Sequence, residues 1–293
     1  NNEQDLNYGA IRNTQHTSIG YDRFTSESWV LSEINLPEIL TDRVQTTPLS
    51  DLGHFHVGTI TGGDRAFAVT PEEADSKSLE DELLFTYAHK NKEIPRYGSV
   101  EPKEQIIYPY EETDDGDVEL IPEKELKEQY PNIHAHLDSH KEFLQNRQDS
   151  REFYAKGQDW YQLVRPGRFD YIRPRKLLFR GLSKETCVGW LDENTVFSGN
   201  NCPGFISNGS AYSDGYLVCL LNSTLLSTYL RQISPSKQQD YRRFNANDLN
   251  KIPIRSFDGS WTSEQKKQYT EVFNRGFSNV LDSGLDIPMA MGS

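Results

Sequence analysis

Apolar residues recur along this chain in two periods. Alternation with polar residues marks short strands, and a return every three or four positions marks helices. The most punctuated stretch runs from His56 to Thr70, His-Val-Gly-Thr-Ile-Thr-Gly-Gly-Asp-Arg-Ala-Phe-Ala-Val-Thr. A short extended run there meets Gly58, Gly62 and Gly63, and Ala66-Phe67-Ala68-Val69 then alternates as a second strand. Glycines let the backbone take positive φ and let another backbone or a ligand come close.

Helix starts are expected at Thr47-Pro48 and at Thr70-Pro71-Glu72-Glu73, where a Thr cap precedes Pro in the first turn. Asp81–His89 fits strand or helix. Ile94-Pro95-Arg96-Tyr97 reads as extended, because a residue before Pro avoids the helical region. Gln105–Tyr110 is a strand ending at Pro109, and Asp115-Gly116 centres an acidic hairpin turn with Val118–Ile121 returning. Pro122 opens a helix that Tyr130-Pro131 breaks. Ile133, Leu137, His140, Phe143 and Leu144 continue at helical spacing and predict one long amphipathic helix to Arg147.

Leu177–Phe179, Cys187–Leu191 and Thr195–Phe197 read as strands, and Asn200–Gly209 as loop. Leu217, Leu220, Leu221, Leu225 and Tyr229 stripe a single helix over Tyr216–Leu230. Trp261–Val280 reads as a final amphipathic helix. The expected class is α+β, a mixed α/β fold with a strand-rich first two-thirds and a helical C-terminal part. Residues 1–28 are polar and read as a linker or arm, residues 29–255 as one domain, and residues 256–293 as helix and tail.

Composition narrows the possibilities. The 293 residues suffice for a sizeable core, and 15 tyrosines within 11% aromatic residues argue against disorder. Mean hydropathy is −0.72, and no apolar run is long enough to span a membrane. Cys187, Cys202 and Cys219 are odd in number and widely spaced. With no signal-peptide pattern, they lead us to expect a reducing, cytoplasmic setting and no zinc site. The sequence opens on Asn1 rather than Met, as a piece of a longer protein would.

A net charge of −13 opposes phosphate binding by the chain as a whole. The charges are segregated, however. Glu101–Glu142 holds 13 acidic and 4 basic residues, Arg147–Lys184 holds 10 basic and 4 acidic, and Arg231–Arg255 holds 6 basic and 2 acidic. A locally positive face is therefore expected on an acidic protein.

No catalytic constellation stands out. No Gly-Lys-Ser/Thr follows the glycine loop, so it is not a Walker motif, and no Gly-x-Ser-x-Gly elbow is present. His136 and His140 stand four apart, the spacing of two ligands on one helix face, or of a solvated face. Glu101-Pro-Lys103 has the Glu-x-Lys spacing of many nucleases. Binding chemistry is richer. Arg165, Arg168, Arg173, Arg175, Lys176 and Arg180 interleave with Trp160, Tyr161, Phe169 and Tyr171, and Arg242-Arg243 lies beside Tyr241 and Phe244. Arg grips phosphate or the guanine edge, and aromatic rings stack on bases.

The order of these pieces resembles the target recognition domain of adenine-N6 DNA methyltransferases of restriction-modification systems, including type IIG-like enzymes. This is the TaqI-like C-terminal specificity domain. The resemblance begins near Trp29-Val-Leu and runs through Leu49-Ser-Asp-Leu52, Gly58-x-x-Thr61-Gly62-x-x-x-Ala66-Phe67, Ile94-Pro-Arg96-Tyr97 and Tyr108-Pro109-Tyr110. It continues in Tyr130-Pro131, His136-Leu137, Leu144, Arg147, Trp160-Tyr161-x-Leu163, Pro174-x-Lys176-Leu177-Leu178, Leu221-Asn222-Ser223 and Ile252-Pro253.

The resemblance implies a curled-sheet domain that reads double-stranded DNA for a methyltransferase catalytic domain, on the same chain or in trans. S-adenosylmethionine would belong to that catalytic domain. Its Asn-Pro-Pro-Tyr/Phe motif is missing from this sequence, so no cofactor is expected in this chain. The implied DNA contacts are Thr61, Gly62, Gly63 and Arg65 of the loop, Arg96, the stretch Arg165, Arg168, Arg173, Arg175 and Lys176, and Arg242 and Arg243. On this reading, replacing Arg173 and Arg175 with Ala weakens DNA binding and flattens its salt dependence. The alternative is an acidic protein-interaction or DNA-mimic module using Glu101–Glu142.

Overall fold

Strands with apolar residues on both faces need cover on both sides, and two such strands organise this protein. All four residues of Lys176–Phe179 and all four of Val188–Leu191 are buried in a computed structural model of the chain. The structure describes residues 46–255 apart from Asp115, 150–151, 154–158, 200–201, 210–211 and Ser236, together with Leu36, Pro37, Leu40, Ser263, Glu264 and Lys267.

The first sheet runs in the order Val188–Leu191, Lys176–Phe179, Gly204–Ser207, Gly53–His56, with every neighbour antiparallel. Side chains alternate across Lys176–Phe179. Leu177 and Phe179 pack on helices Asp214–Leu221 and Thr224–Ile233, while Leu178 faces a small cluster with Ala88, Ile94 and Phe197. The second sheet runs Thr195–Phe197, Leu84–Ala88, Glu104–Ile107, Ala68–Val69, and its first pair is parallel. A core built on Phe67, Tyr108, Trp160 and Tyr161 joins it to the helices around Glu123–Gln145.

The local expectations that hold are those with a local cause. Thr70 caps helix Pro71–Lys77, its hydroxyl accepting from Glu73 N at 3.2 Å, which contributes about 1 kcal/mol. Tyr110–Glu112 and Val118–Leu120 form the acidic hairpin, with Gly116 at φ 75° in its turn. Asp81–His89 resolves into a turn and the strand Leu84–Ala88.

Other elements are corrected. Ala66 and Phe67 lie in a helical turn, Asp64–Phe67, and only Ala68–Val69 is strand. Thr46–Pro48 is strand rather than a helix start, leading into a short turn at Leu49–Asp51. Gly204–Ser207, inside the expected loop, is a central strand. The long helix ending near Arg147 is two, Pro131–Asp138 and Lys141–Gln145, parted where the Ser139 hydroxyl bonds His136 O at 2.6 Å. The single helix over Tyr216–Leu230 is also two, Asp214–Leu221 and Thr224–Ile233, the second capped by the Ser223 hydroxyl. The expectations for residues 1–28, Trp29-Val-Leu and most of Trp261–Val280 lie outside the described residues.

Candidate nucleic-acid interface

The glycine loop is built inward. Gly62 sits at φ 68°, and a Cβ on Gly63 would stand 2.8 Å from the Phe143 ring. The buried Thr61 donates its hydroxyl proton to the Asp64 carboxylate and accepts from Gly63 N at 3.1 Å. Arg147 donates to Thr61 O at 2.7 Å. Arg65 is exposed, as is Asp64, and its guanidinium lies 3.4 Å over the Phe143 ring.

Behind the loop, His89 bridges Asp64 at 3.3 Å and Glu104, which also holds Lys90 at 2.7 Å. Burial opposes charge on His89, but its bonds to the two carboxylates outweigh burial and hold its pKa above the usual imidazole value of 6.5. Asp64 is held low, chiefly by its bond to His89. A raised imidazole stabilises the fold fully below about pH 6.5, and that contribution is lost as pH rises through the folded-state value. The His89 contribution alone is therefore expected to lower the thermal midpoint between about pH 6 and about pH 8, against the opposite slopes of His56 and His136, whose pKa values burial lowers. His89→Gln should abolish that contribution, and an unaltered slope in the variant would remove His89 as its source.

The basic stretch is largely neutralised by the acidic hairpin. Arg168 pairs with Asp117, and Arg173 forks onto Glu112, with one bond at 2.9 Å. Arg175 meets Asp192 at 3.3 Å. Lys176 is buried, its ammonium held by the carbonyls of Ile172 and Thr195 at 2.8 Å each, and burial pushes its pKa down to about 7. It lies out of reach of any solvent-side phosphate. Arg96 is spent on Glu185 at 2.9 Å and Asn222 O at 2.7 Å, and Arg242 on Ser234 O at 3.2 Å and Asp240 at 3.7 Å.

Three of the basic candidates, Arg65, Arg165 and Arg243, are exposed with no ion pair or side-chain hydrogen bond among the described residues. Arg165 is placed by its backbone, which exchanges bonds with Ile60 at 2.8 and 3.0 Å. Arg243 lies on a two-residue strand paired with Leu182–Ser183.

Arg243 opens onto a groove of about 970 Å³ whose walls include His56, Val57, Leu182, Gly199, Lys237, Gln239 and Tyr241. Among the described residues no Asp or Glu lines it. Gly199 in its wall donates to the buried Thr59 O at 3.0 Å, and the neighbouring Ile60 pairs with Arg165. His56 stacks on Tyr171 with centroids 3.8 Å apart, which stiffens this wall.

Of the sequence candidates, Arg243 lines the groove, whereas Arg165 is linked to it only through the backbone bonds of Thr59 and Ile60. Val57, Leu182, Gln239 and Tyr241 had no sequence signal beyond Tyr241 standing beside two arginines. The histidine pair is spent internally. His136 Nε2 bonds Ala66 O and Nδ1 meets Lys77, each at 3.0 Å. Among the described residues, no three His, Cys, Asp or Glu side chains gather as a metal site would need. Glu101 and Lys103 face a separate, smaller cavity with Lys90, Lys92 and Glu93.

Comparison with known proteins agrees with the order of motifs. Residues 123–254 match the model of the TaqI-like C-terminal specificity domain. Among solved structures the chain is similar to the type IIL restriction-modification enzyme MmeI in complex with DNA. The TM-score is 0.53 at 16% identity, over 80% of this chain and 29% of that one. A similarity to the type IIG restriction endonuclease BpuSI has a TM-score of 0.47 at 11% identity, over 82% of this chain and 28% of that one. The chain therefore spans less than a third of the length of either enzyme. The MmeI likeness shows a shared mixed α+β fold. No curated protein matches the sequence. No helix among the described residues is long and apolar enough to cross a membrane.

Proposed function

We propose, from the specificity-domain match over 123–254, that this chain is the part of a restriction-modification enzyme that selects a short sequence in double-stranded DNA. The observation that carries the reading is the groove. In a chain of net charge −13, this groove of about 970 Å³ is lined by no carboxylate and edged by an arginine without an ion pair among the described residues. Phosphates enter such a face without meeting like charge, and each cation they engage releases counterions.

Selection here serves adenine-N6 methylation by a catalytic domain, on the same chain or in trans. That domain would hold S-adenosylmethionine. The setting is restriction-modification or phage defence in the cytoplasm. The solved MmeI structure contains DNA, which supports a duplex as partner.

The acidic hairpin does not favour the DNA-mimic alternative, because Glu112 and Asp117 already face arginines of the same chain. Those pairs are well exposed, and exposed pairs contribute about 0–1 kcal/mol. Arg168 and Arg173 can therefore exchange a carboxylate for a phosphate at small cost.

The test is retention of duplexes from a random pool at low and moderate salt, followed by sequencing. Enrichment of one short motif is expected. Replacing Arg165 and Arg243 with Ala should reduce the slope of log affinity against log salt by about one per arginine. Arg173 and Arg175, already paired, should give the smaller change. Absence of retention at either salt would overturn the reading.

A further inference from the structure

We infer that the groove reads the major-groove edge of an A·T base pair, with Gln239 bonding the adenine and Val57 and Leu182 touching the thymine methyl. The inference deepens the proposed function and rests on it.

Four large hydrophobic side chains are exposed among the described residues, and three of them line this one groove. Val57 is 54% exposed, Leu182 46% and Tyr241 37%, with Leu225 the exception. Apolar surface gathered in one concavity marks a place that something covers. Among the described residues the walls carry Arg243 and no carboxylate, and Lys184 lies 5.5 Å over the ring of Tyr241. The occupant must therefore offer negative charge at its rim and an apolar group at its centre. A DNA duplex does both where a thymine methyl stands in the major groove between two rows of phosphate.

The amides in the walls differ in availability. Asn91 is occupied by the Leu182 backbone, donating to its carbonyl at 2.9 Å. Asn245 caps helix Ala246–Asn250, accepting from Asp248 N at 3.0 Å. Gln239 is exposed and forms no hydrogen bond among the described residues. Its backbone sits at φ 56° and that of Asp240 at φ 65°, a left-handed pair rare for non-glycine residues. Asp240 is held there by Arg231 at 2.5 Å and Arg242 at 3.7 Å. The two arginines thus brace a strained turn that presents a free amide at the groove. An amide pairs bidentately with adenine N6 and N7, and only an A·T pair shows that edge beside a methyl.

The experiment uses the full chain, its selected motif and the variants Val57→Ala and Gln239→Ala, both at exposed positions. The wild-type motif should contain an A·T position at which replacing thymine by deoxyuridine weakens binding about fourfold. Val57→Ala should erase that difference. Gln239→Ala should lower discrimination at the same position about tenfold or more while leaving the salt slope unchanged. A motif without A·T, indifference to deoxyuridine, or unaltered base preference in both variants would overturn the inference while the DNA reading stands. The last outcome would point to a protein partner for the groove. Failure to retain any duplex would overturn the inference and the parent reading together.

Discussion

Replacing Arg147 with alanine is expected to cost about 3–5 kcal/mol of folding free energy, the range seen when a buried charged group is removed from its partners. The side chain is 5% exposed. Its Nε donates to Leu144 O at 3.0 Å, one terminal nitrogen to Thr61 O at 2.7 Å, and the other to Trp160 O at 3.1 Å and Gln162 O at 2.7 Å. One guanidinium thus ties the glycine loop, the end of helix Lys141–Gln145 and the Trp160 turn together.

Truncation leaves those carbonyls without their donor and opens space beside Phe67, whose ring lies 5.3 Å from the guanidinium. Arg147→Lys should recover little, because an ammonium is a point donor and cannot span three directions. Urea unfolding of the three proteins measures this. A loss below about 1 kcal/mol in the alanine variant would show that solvent or neighbours satisfy the carbonyls, and the tie would be rejected.

The second large effect is expected at Asn222, which is fully buried. Its amide imitates a strand residue at the edge of the first sheet. Oδ1 accepts from Val188 N at 2.9 Å, and Nδ2 donates to Val188 O and Val218 O at 2.8 Å each. Its own carbonyl accepts from Arg96 at 2.7 Å and from the Tyr97 hydroxyl at 3.0 Å. Asn222→Ala should cost about 3 kcal/mol, through the orphaned Val188 N–H and a cavity, since Val188 O keeps the bond from Tyr97 N at 3.2 Å.

Asn222→Asp keeps the shape but sets carboxylate oxygen against two carbonyls. It should be at least as destabilising near neutral pH. Burial would raise the pKa of the new carboxyl in the folded state, so the variant should regain stability as pH falls and the carboxyl takes a proton. Equal stability of the aspartate variant and wild type at neutral pH would refute the role assigned to the Nδ2 donor.

Asn222 also explains why one helix became two. Leu217, Leu220, Leu221 and Leu225 keep helical spacing across the break, so the apolar stripe carries no trace of it. The interruption comes from Val188, 34 positions away, whose outward N–H and C=O claim the Asn side chain. Gly204–Ser207 was hidden for a related reason. Its Asn- and Gly-rich flanks read as loop, yet Lys176–Phe179 and Gly53–His56 offer it backbone partners on both edges.

By itself the sequence determined what neighbouring residues settle among themselves. Thr70 before Pro71 starts a helix, Gly116 turns the acidic hairpin, and Leu177-Leu178-Phe179 demands a strand with cover on both faces. It also carried the order of motifs that resembles the TaqI-like C-terminal specificity domain, whose model matches residues 123–254. The tertiary structure alone decided which of the basic residues are available. Arg173 and Glu112 stand 61 positions apart and lie within hydrogen-bond distance in the fold, whereas Arg165 and Arg243 meet no carboxylate among the described residues. Burial and ion pairing depend on distance in space, which for such pairs is set by the packing of the whole chain and is unrelated to their separation along it. The groove follows the same rule, since its walls come from segments near Val57, Leu182 and Tyr241 that only the packed sheets bring together.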